Sequence, residues 1–146
     1  MSNTIIREAQ NSDSEQLYML FKKHAEYESC ILHVSNQKQA LSNLDEYPMK
    51  IFVAEYENVI IGYLSVIKQF STWDMDYYLY VDCLYLTPKA RGKLLGKKLM
   101  YLAREYGNSI SISKLQWQTP VENINASGFY SSIGAESKNK QRFYWS

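Results

Sequence analysis

Apolar and polar positions fall along the chain in blocks whose spacing changes between the strand and helix periods. Thr4–Glu8 is a short β-type run. Over Asn11–Tyr27, Leu17, Leu20, Phe21 and Ala25 recur at helical spacing, and Ser12 or Asp13 can cap the start, so a helix is expected. A weaker helix follows at Gln37–Leu44 and ends near Pro48. Ile51–Tyr56 and Val59–Lys68 read as strands joined at Glu57-Asn58, a hairpin signal. Tyr77–Leu86 is a long, tyrosine-rich strand closed by Pro88. The chain restarts at Arg91-Gly92 as a helix to about Tyr106, with Leu95, Leu99, Leu102, Ala103 and Tyr106 on one face and Lys93, Lys97, Lys98 and Arg104 off it. Lys114–Thr119 reads as a strand, Asn123–Ser132 as a helix ending at Gly134, and Gln141–Trp145 as a last strand.

The order β-α-α-β-β-β-α-β-α-β combines a hairpin-built front with two β-α units. It implies an α/β fold: a mixed, mostly antiparallel central sheet with helices on both faces. The 146 residues suit a single domain, residues 1–146, and a chain of this size buries roughly 70% of its unfolded surface. There is no repeat, low-complexity segment or Pro/Gly-rich linker.

Composition narrows the function classes. With 46% hydrophobic and 21% charged residues the chain is an ordinary globular protein. No apolar run approaches the ~20 residues of a membrane span, and the first residues have no hydrophobic signal core. Cys30 and Cys83 cannot make a disulfide framework, and His24 and His33 lack metal-ligand spacing, so neither a metal nor a membrane is expected and the location reads as cytoplasmic. His24, near the end of the first helix, could act as a base. Cys83 reads as a small buried hydrophobe, since a nucleophile needs an activating neighbour.

The net charge of +1 hides an asymmetry: residues 1–86 carry −6 and residues 87–146 carry +7. Six cations and no anion lie between Thr87 and Arg104. A long strand, a turn with Pro88 and Gly92, and a helix with a basic first turn make an anion site. The N–H groups at such a helix start point outward, the helix dipole adds partial positive charge there, and Lys and Arg add full charges. The spacing Arg91-Gly92-Lys93-Leu94-Leu95-Gly96 fits neither the Walker nor the GxGxxG pattern. Nucleic acid is not the expected partner, because the aromatics of this segment face the core and offer no stacking platform.

The string from Val81 to Leu99, VDCLYLTPKARGKLLGKKL, resembles the central motif of the GCN5-related N-acetyltransferases, a hydrophobic strand and then Arg/Gln-x-x-Gly-x-Gly/Ala at a helix start. Asn123, Ala126, Phe129-Tyr130 and Gly134-Ala135 are similar to that family's second hallmark. The two motifs stand in the family's order and cover nearly the whole chain. The resemblance implies acetyl-CoA as co-substrate, held by Leu84, Tyr85, Leu86, Arg91, Gly92, Lys93, Leu94, Leu95, Gly96, Lys97, Asn123 and Tyr130. Leu94 departs from the pattern, for it stands where the family has the middle glycine of its loop. Asn123 is equally a helix N-cap by its residue type.

Ala25-Glu26-Tyr27-Glu28, Phe70-Ser71-Thr72-Trp73 and Tyr80-Val81-Asp82-Cys83 resemble the diamine/polyamine acetyltransferases within the family. By position, Tyr27, Glu28 and Asp82 become the amine contacts, with Gln116, Trp117 and Gln118 as the opposite wall. The pair Asp82-Cys83 replaces the subgroup's Glu-Asp, and Lys138, Asn139 and Lys140 stand where it has a late acidic residue. A short diamine or monoamine is therefore expected over a long polyamine, in a homodimer like similar enzymes.

An alkylamine has a pKa of roughly 10.4 and must lose a proton before it attacks, which assigns Glu28 or Asp82, through water, as the base. A backbone N–H near Leu84–Leu86 would meet the oxyanion. Tyr130 occupies the family's acid position. A phenol near 10 gives its proton to a thiolate near 8.5 only uphill, by roughly 2 kcal/mol, so Tyr130 is a hydrogen-bond donor first. Two other readings stay open: a different amine acceptor (an amino acid, an aminoglycoside or a protein N-terminus), or a catalytically weak sensor of acyl-CoA, which Leu94 favours.

Overall fold

A computed structural model describes residues 3–30 and 41–146. The chain divides into two compact units, Met1–Gln116 and Trp117–Ser146. The first unit contains strands β1 (Thr4–Glu8), β2 (Met49–Tyr56), β3 (Val59–Ser71), β4 (Asp76–Leu86) and β5 (Leu115–Gln116), with helices α1 (Ser14–Tyr27) and α2 (Leu95–Ser109). The second contains helix α3 (Ile124–Ser132). The strands lie side by side in the order β1-β2-β3-β4-β5. The first three pairings are antiparallel and the last is parallel. The mixed, mostly antiparallel sheet expected from the sequence is thus the observed one.

Alternation along the strands assigns the faces. Ile51 and Val53 of β2 join Leu17 and Leu20 of α1, Tyr63 of β3 and Tyr85 of β4 in one buried cluster. Phe52 points the opposite way, with its ring edge-on to Tyr106 of α2 at 5.7 Å. The two helices therefore cover opposite faces, and α2 buries Leu95, Leu99, Met100 and Ala103 while Lys97, Lys98 and Arg104 stay exposed. The β2–β3 hairpin turns through Glu57 and Asn58, both at positive φ, as a two-residue turn between twisted strands requires. Gln16 of α1 clamps that hairpin: its Oε1 accepts from Ile60 N at 2.8 Å and its Nε2 donates to Asn58 O at 3.2 Å. At the other end Arg7 of β1 ties Asp13, just before α1, to Glu55 of β2, each at 2.8 Å. The Arg7 guanidinium holds the Asp13 carboxyl below its ordinary range against the opposing effect of burial. These ties fix where the last turn of α1 lands on the sheet.

Three expectations need correction or fall outside the description. The strand expected at Gln141–Trp145 does not form, so the sheet has five strands. Phe143, Tyr144 and Trp145 are consecutive rather than alternating, so an extended backbone cannot put them all on one buried face, and all three are exposed. The strand expected over Lys114–Thr119 shortens to Leu115–Gln116. The first half of the helix expected at Gln37–Leu44, like His33, lies outside the described residues; positions 41 and 42 are helical.

Candidate active site

β4 carries the central irregularity of the sheet. Ser65 of β3 pairs with Cys83 and the next residue, Val66, pairs with Val81, so Asp82 is an extra residue without a register partner. Such a bulge kinks the strand and re-aims the side chains beside it. β5 pairs with β4 only at Leu79 and Tyr80. Beyond Tyr80, no strand among the described residues pairs with that edge of β4. An open strand edge of this kind offers N–H groups to a bound carbonyl.

The last turn of α1 meets the bulge. His24 lies stacked on the Tyr85 ring, centroids 5.0 Å apart and 24° between planes, and edge-on to Tyr63. Its Nδ1 and the Tyr63 hydroxyl are 2.6 Å apart. Its Nε2 faces Glu28 Oε1 at 3.8 Å, one helical turn on. Burial pulls the His24 pKa below its ordinary 6.5, while the Glu28 and Asp82 carboxylates oppose that shift. The two acidic residues expected to flank an amine thus both act on one imidazole. Tyr27, half-exposed, leans towards Tyr85 with centroids 6.4 Å apart.

Cys83, next to the bulge, donates its S–H to Asp82 Oδ2 at 3.7 Å and also hydrogen-bonds the Tyr63 hydroxyl. Burial and the Asp82 charge push its pKa up to about 12, so it stays a thiol and is no nucleophile. Burial likewise raises Tyr63, which keeps its proton. An acidic, aromatic cluster around an imidazole suits a cation that must become a neutral nucleophile.

The basic turn is built differently. After a 3-10 turn at Pro88–Ala90, Gly92 and Leu94 both take positive φ, 74° and 63°, before α2 starts at Leu95. No side chain caps that start. Its first N–H groups are therefore available to an anion, among exposed Lys93 and Lys97. The turn fits the diphosphate of acetyl-CoA in charge and in donors. Leu94 reaches the conformation a glycine would take, at a steric cost, with its side chain directed into solvent. Arg91 makes contacts of its own. Its Nε donates to Leu86 O at 3.0 Å and its guanidinium lies 4.8 Å over Tyr27 and 5.6 Å from Tyr85.

In the second unit Asn123 Oδ1 accepts from Ala126 N at 3.2 Å and caps α3, as its residue type suggests. Gly134, at φ 92°, ends the helix. Tyr130 is half-buried against Trp117, edge-on at 5.2 Å, and Phe129. Gln116 belongs to β5 opposite Tyr80, while Gln118 is exposed. Tyr63 and the closeness of His24 to both carboxylates were not anticipated. The one available signal was the four-residue spacing of His24 and Glu28 on a helix.

The acetyltransferase (GNAT) family model matches residues 8–135, across both units. The chain belongs to this family. Curated relatives include the uncharacterized N-acetyltransferase YhfO of Bacillus subtilis, 26% identical over 132 residues (90% of this chain, 89% of that one). They also include a thialysine N-epsilon-acetyltransferase of Bos taurus, 26% identical over 147 residues (93% and 86%). Among solved structures, an aminoglycoside acetyltransferase from a soil metagenome, in complex with sisomicin, shares the fold at TM-score 0.82 and 17% identity, covering 99% of this chain and 97% of that one. The protein is accordingly an acetyl-CoA-dependent N-acetyltransferase. Among the described residues no helix is long and apolar enough to cross a membrane.

Proposed function

We propose that the enzyme acetylates a small cationic primary amine, a short diamine first. The observation that carries this reading is the convergence of Glu28 and Asp82 on the His24 imidazole at the end of α1. Two carboxylates attract an alkylammonium, and the Tyr27 and Tyr85 faces add cation–π attraction. The acetyl thioester lies along the open edge of β4, with N–H groups near Leu84–Leu86 receiving the carbonyl oxygen, and the basic turn takes the phosphates. Tyr130 serves as donor to the departing sulfur, a role that rests on the family motif. The amine attacks directly, because Cys83 is held as a thiol.

A second reading has its own observation. The Arg91 guanidinium over Tyr27 is a carboxylate partner at the rim of the acidic recess, which favours a lysine-like amino acid. The thialysine enzymes among the relatives agree with it.

The test is thiol release from acetyl-CoA against 1,3-diaminopropane, putrescine, spermidine, lysine, thialysine, an aminoglycoside and an N-terminal peptide. Fast turnover on the diamines, lost in Tyr130→Phe, supports the first reading. Preference for lysine or thialysine that Arg91→Ala abolishes supports the second. Binding of acetyl-CoA without turnover on any amine points to a sensor.

A further inference from the structure

The polar contacts around His24 form a chain through Tyr63 and Cys83 to Asp82, and the sense in which it runs decides the tautomer. Cys83 remains a thiol, and its single proton goes to Asp82 Oδ2. The sulfur then has only lone pairs to offer the neighbouring Tyr63 and Ser65 hydroxyls. If that of Tyr63 gives its one proton to the sulfur, it meets His24 with a lone pair across 2.6 Å, and the proton lies on Nδ1. A neutral imidazole has only one N–H. Nε2 is then a lone pair, and it faces the Glu28 carboxylate across 3.8 Å, too far for a direct hydrogen bond.

We propose that His24 Nε2 is the general base of the acetyl transfer, with Tyr63 as the residue that positions it. This rests on the reading of the site as an amine recess, and it moves the proton-accepting role from Glu28 and Asp82 to the imidazole between them. An ammonium entering the gap gives one N–H to Glu28 and one to Nε2. The proton on the second passes to Nε2 as the nitrogen attacks. An ammonium of pKa about 10.4 gives it to an imidazole below 6.5 only uphill, and bond formation to carbon is what lowers the nitrogen's pKa. The freed lone pair forms the C–N bond as the C–S bond breaks, and the further proton the nitrogen sheds ends on the departing sulfur. The net products are amide, thiol and one proton, which leaves His24 to water. The imidazolium formed is flanked by Glu28 and Asp82, both anionic. Tyr63, Cys83 and Tyr85 line its other sides, and Arg91 stands 5.6 Å from the Tyr85 ring centroid.

The experiment measures kcat/KM between pH 5 and 10 for wild type, His24→Gln and Tyr63→Phe with 1,3-diaminopropane, beside nitrogen NMR of histidine-labelled protein. His24→Gln is expected to lose about 10²-fold at pH 7. The deficit should shrink by about tenfold per pH unit above that, as water deprotonates the amine towards its own pKa of roughly 10.4. Calorimetric affinity for acetyl-CoA should not change. Tyr63→Phe should lower kcat more than it raises the amine KM, and should mix the two tautomers. The wild-type spectrum should show His24 protonated at Nδ1. Parallel pH profiles for wild type and His24→Gln, or a proton on Nε2, overturn the base while leaving an active amine acetyltransferase. A folded wild type that releases no thiol with any amine overturns the acceptor reading and the base with it.

Discussion

The two functional regions of the first unit solve opposite problems with opposite means. Under the end of α1, His24, Glu28, Tyr63, Asp82, Cys83 and Tyr85 hold one another through hydrogen bonds, ring contacts and charge, so each side chain is positioned before any ligand arrives. At the start of α2 the backbone is what is arranged. Two residues at positive φ aim the helix N-terminus, no side chain caps it, and the lysines reach into water. A reacting amine needs its proton acceptor fixed to a fraction of an ångström, whereas a diphosphate needs only charge and donors over a broad surface. Substitutions in the first region should therefore cost more, and cost it in the amine terms.

The largest effect expected outside the histidine itself is at the bulge. Asp82→Asn removes a carboxylate that attracts the amine and supports His24. A charge-assisted contact of this kind is worth about 1.5–3 kcal/mol, so the amine KM should rise by about ten- to a hundredfold. Because Asp82 raises the His24 pKa, its loss also lets that pKa fall further, and the acid limb of the pH profile should move to lower pH. Acetyl-CoA affinity should stay the same. A parallel loss of acetyl-CoA binding would mean the two regions are not separable.

Leu94→Gly sharpens the contrast from the other side. A left-handed conformation costs a non-glycine residue roughly 1–2 kcal/mol, and part of that gain returns as the extra freedom glycine has when unfolded. The variant should be more stable by about 1 kcal/mol, read as a melting temperature higher by about 3 °C. Unchanged or lower stability would show that the exposed leucine is held by something other than its own backbone.

How far each region was legible in the sequence follows from the same contrast. The basic turn could be read from its letters, because Pro88, Gly92 and a run of lysines before a helical period state their geometry locally. Leu94 announced its oddity by standing where a glycine belongs, and the structure gives it the glycine's φ. The acidic recess was legible only in part. Tyr27, Glu28 and Asp82 could be placed by resemblance, but the meeting of α1 with β4 depends on Gln16 reaching the hairpin 44 residues later and on Arg7 spanning 48 residues to Glu55. Long-range contacts of that kind leave no periodic trace. Tyr63 looked like one more apolar residue in a buried strand, and the bulge that separates Asp82 from the register is invisible to an alternation that runs unbroken through it. The missing last strand failed for a simpler reason: a run of aromatics satisfies a strand's composition without its period.

The smallest expected effects lie among the cations of the basic turn, and they divide it. Lys93 and Lys97 are exposed, and a surface charge beside a helix N-terminus contributes about 0.3–1 kcal/mol to an anion. Lys93→Ala should weaken acetyl-CoA binding about threefold, and the difference should fade as salt rises, since the Debye length is only about 8 Å at physiological ionic strength. The amine KM should not move. Arg91, two residues earlier, has the same charge and should behave otherwise, because its guanidinium is held by the Leu86 carbonyl and the Tyr27 ring. Arg91→Ala frees Tyr27 and alters the rim of the recess, so its effect should appear in the amine KM and persist at high salt. If both variants weaken acetyl-CoA alone, with the same salt dependence, then Arg91 belongs to the phosphate side after all and the division between the regions runs through Tyr27 instead of through the turn.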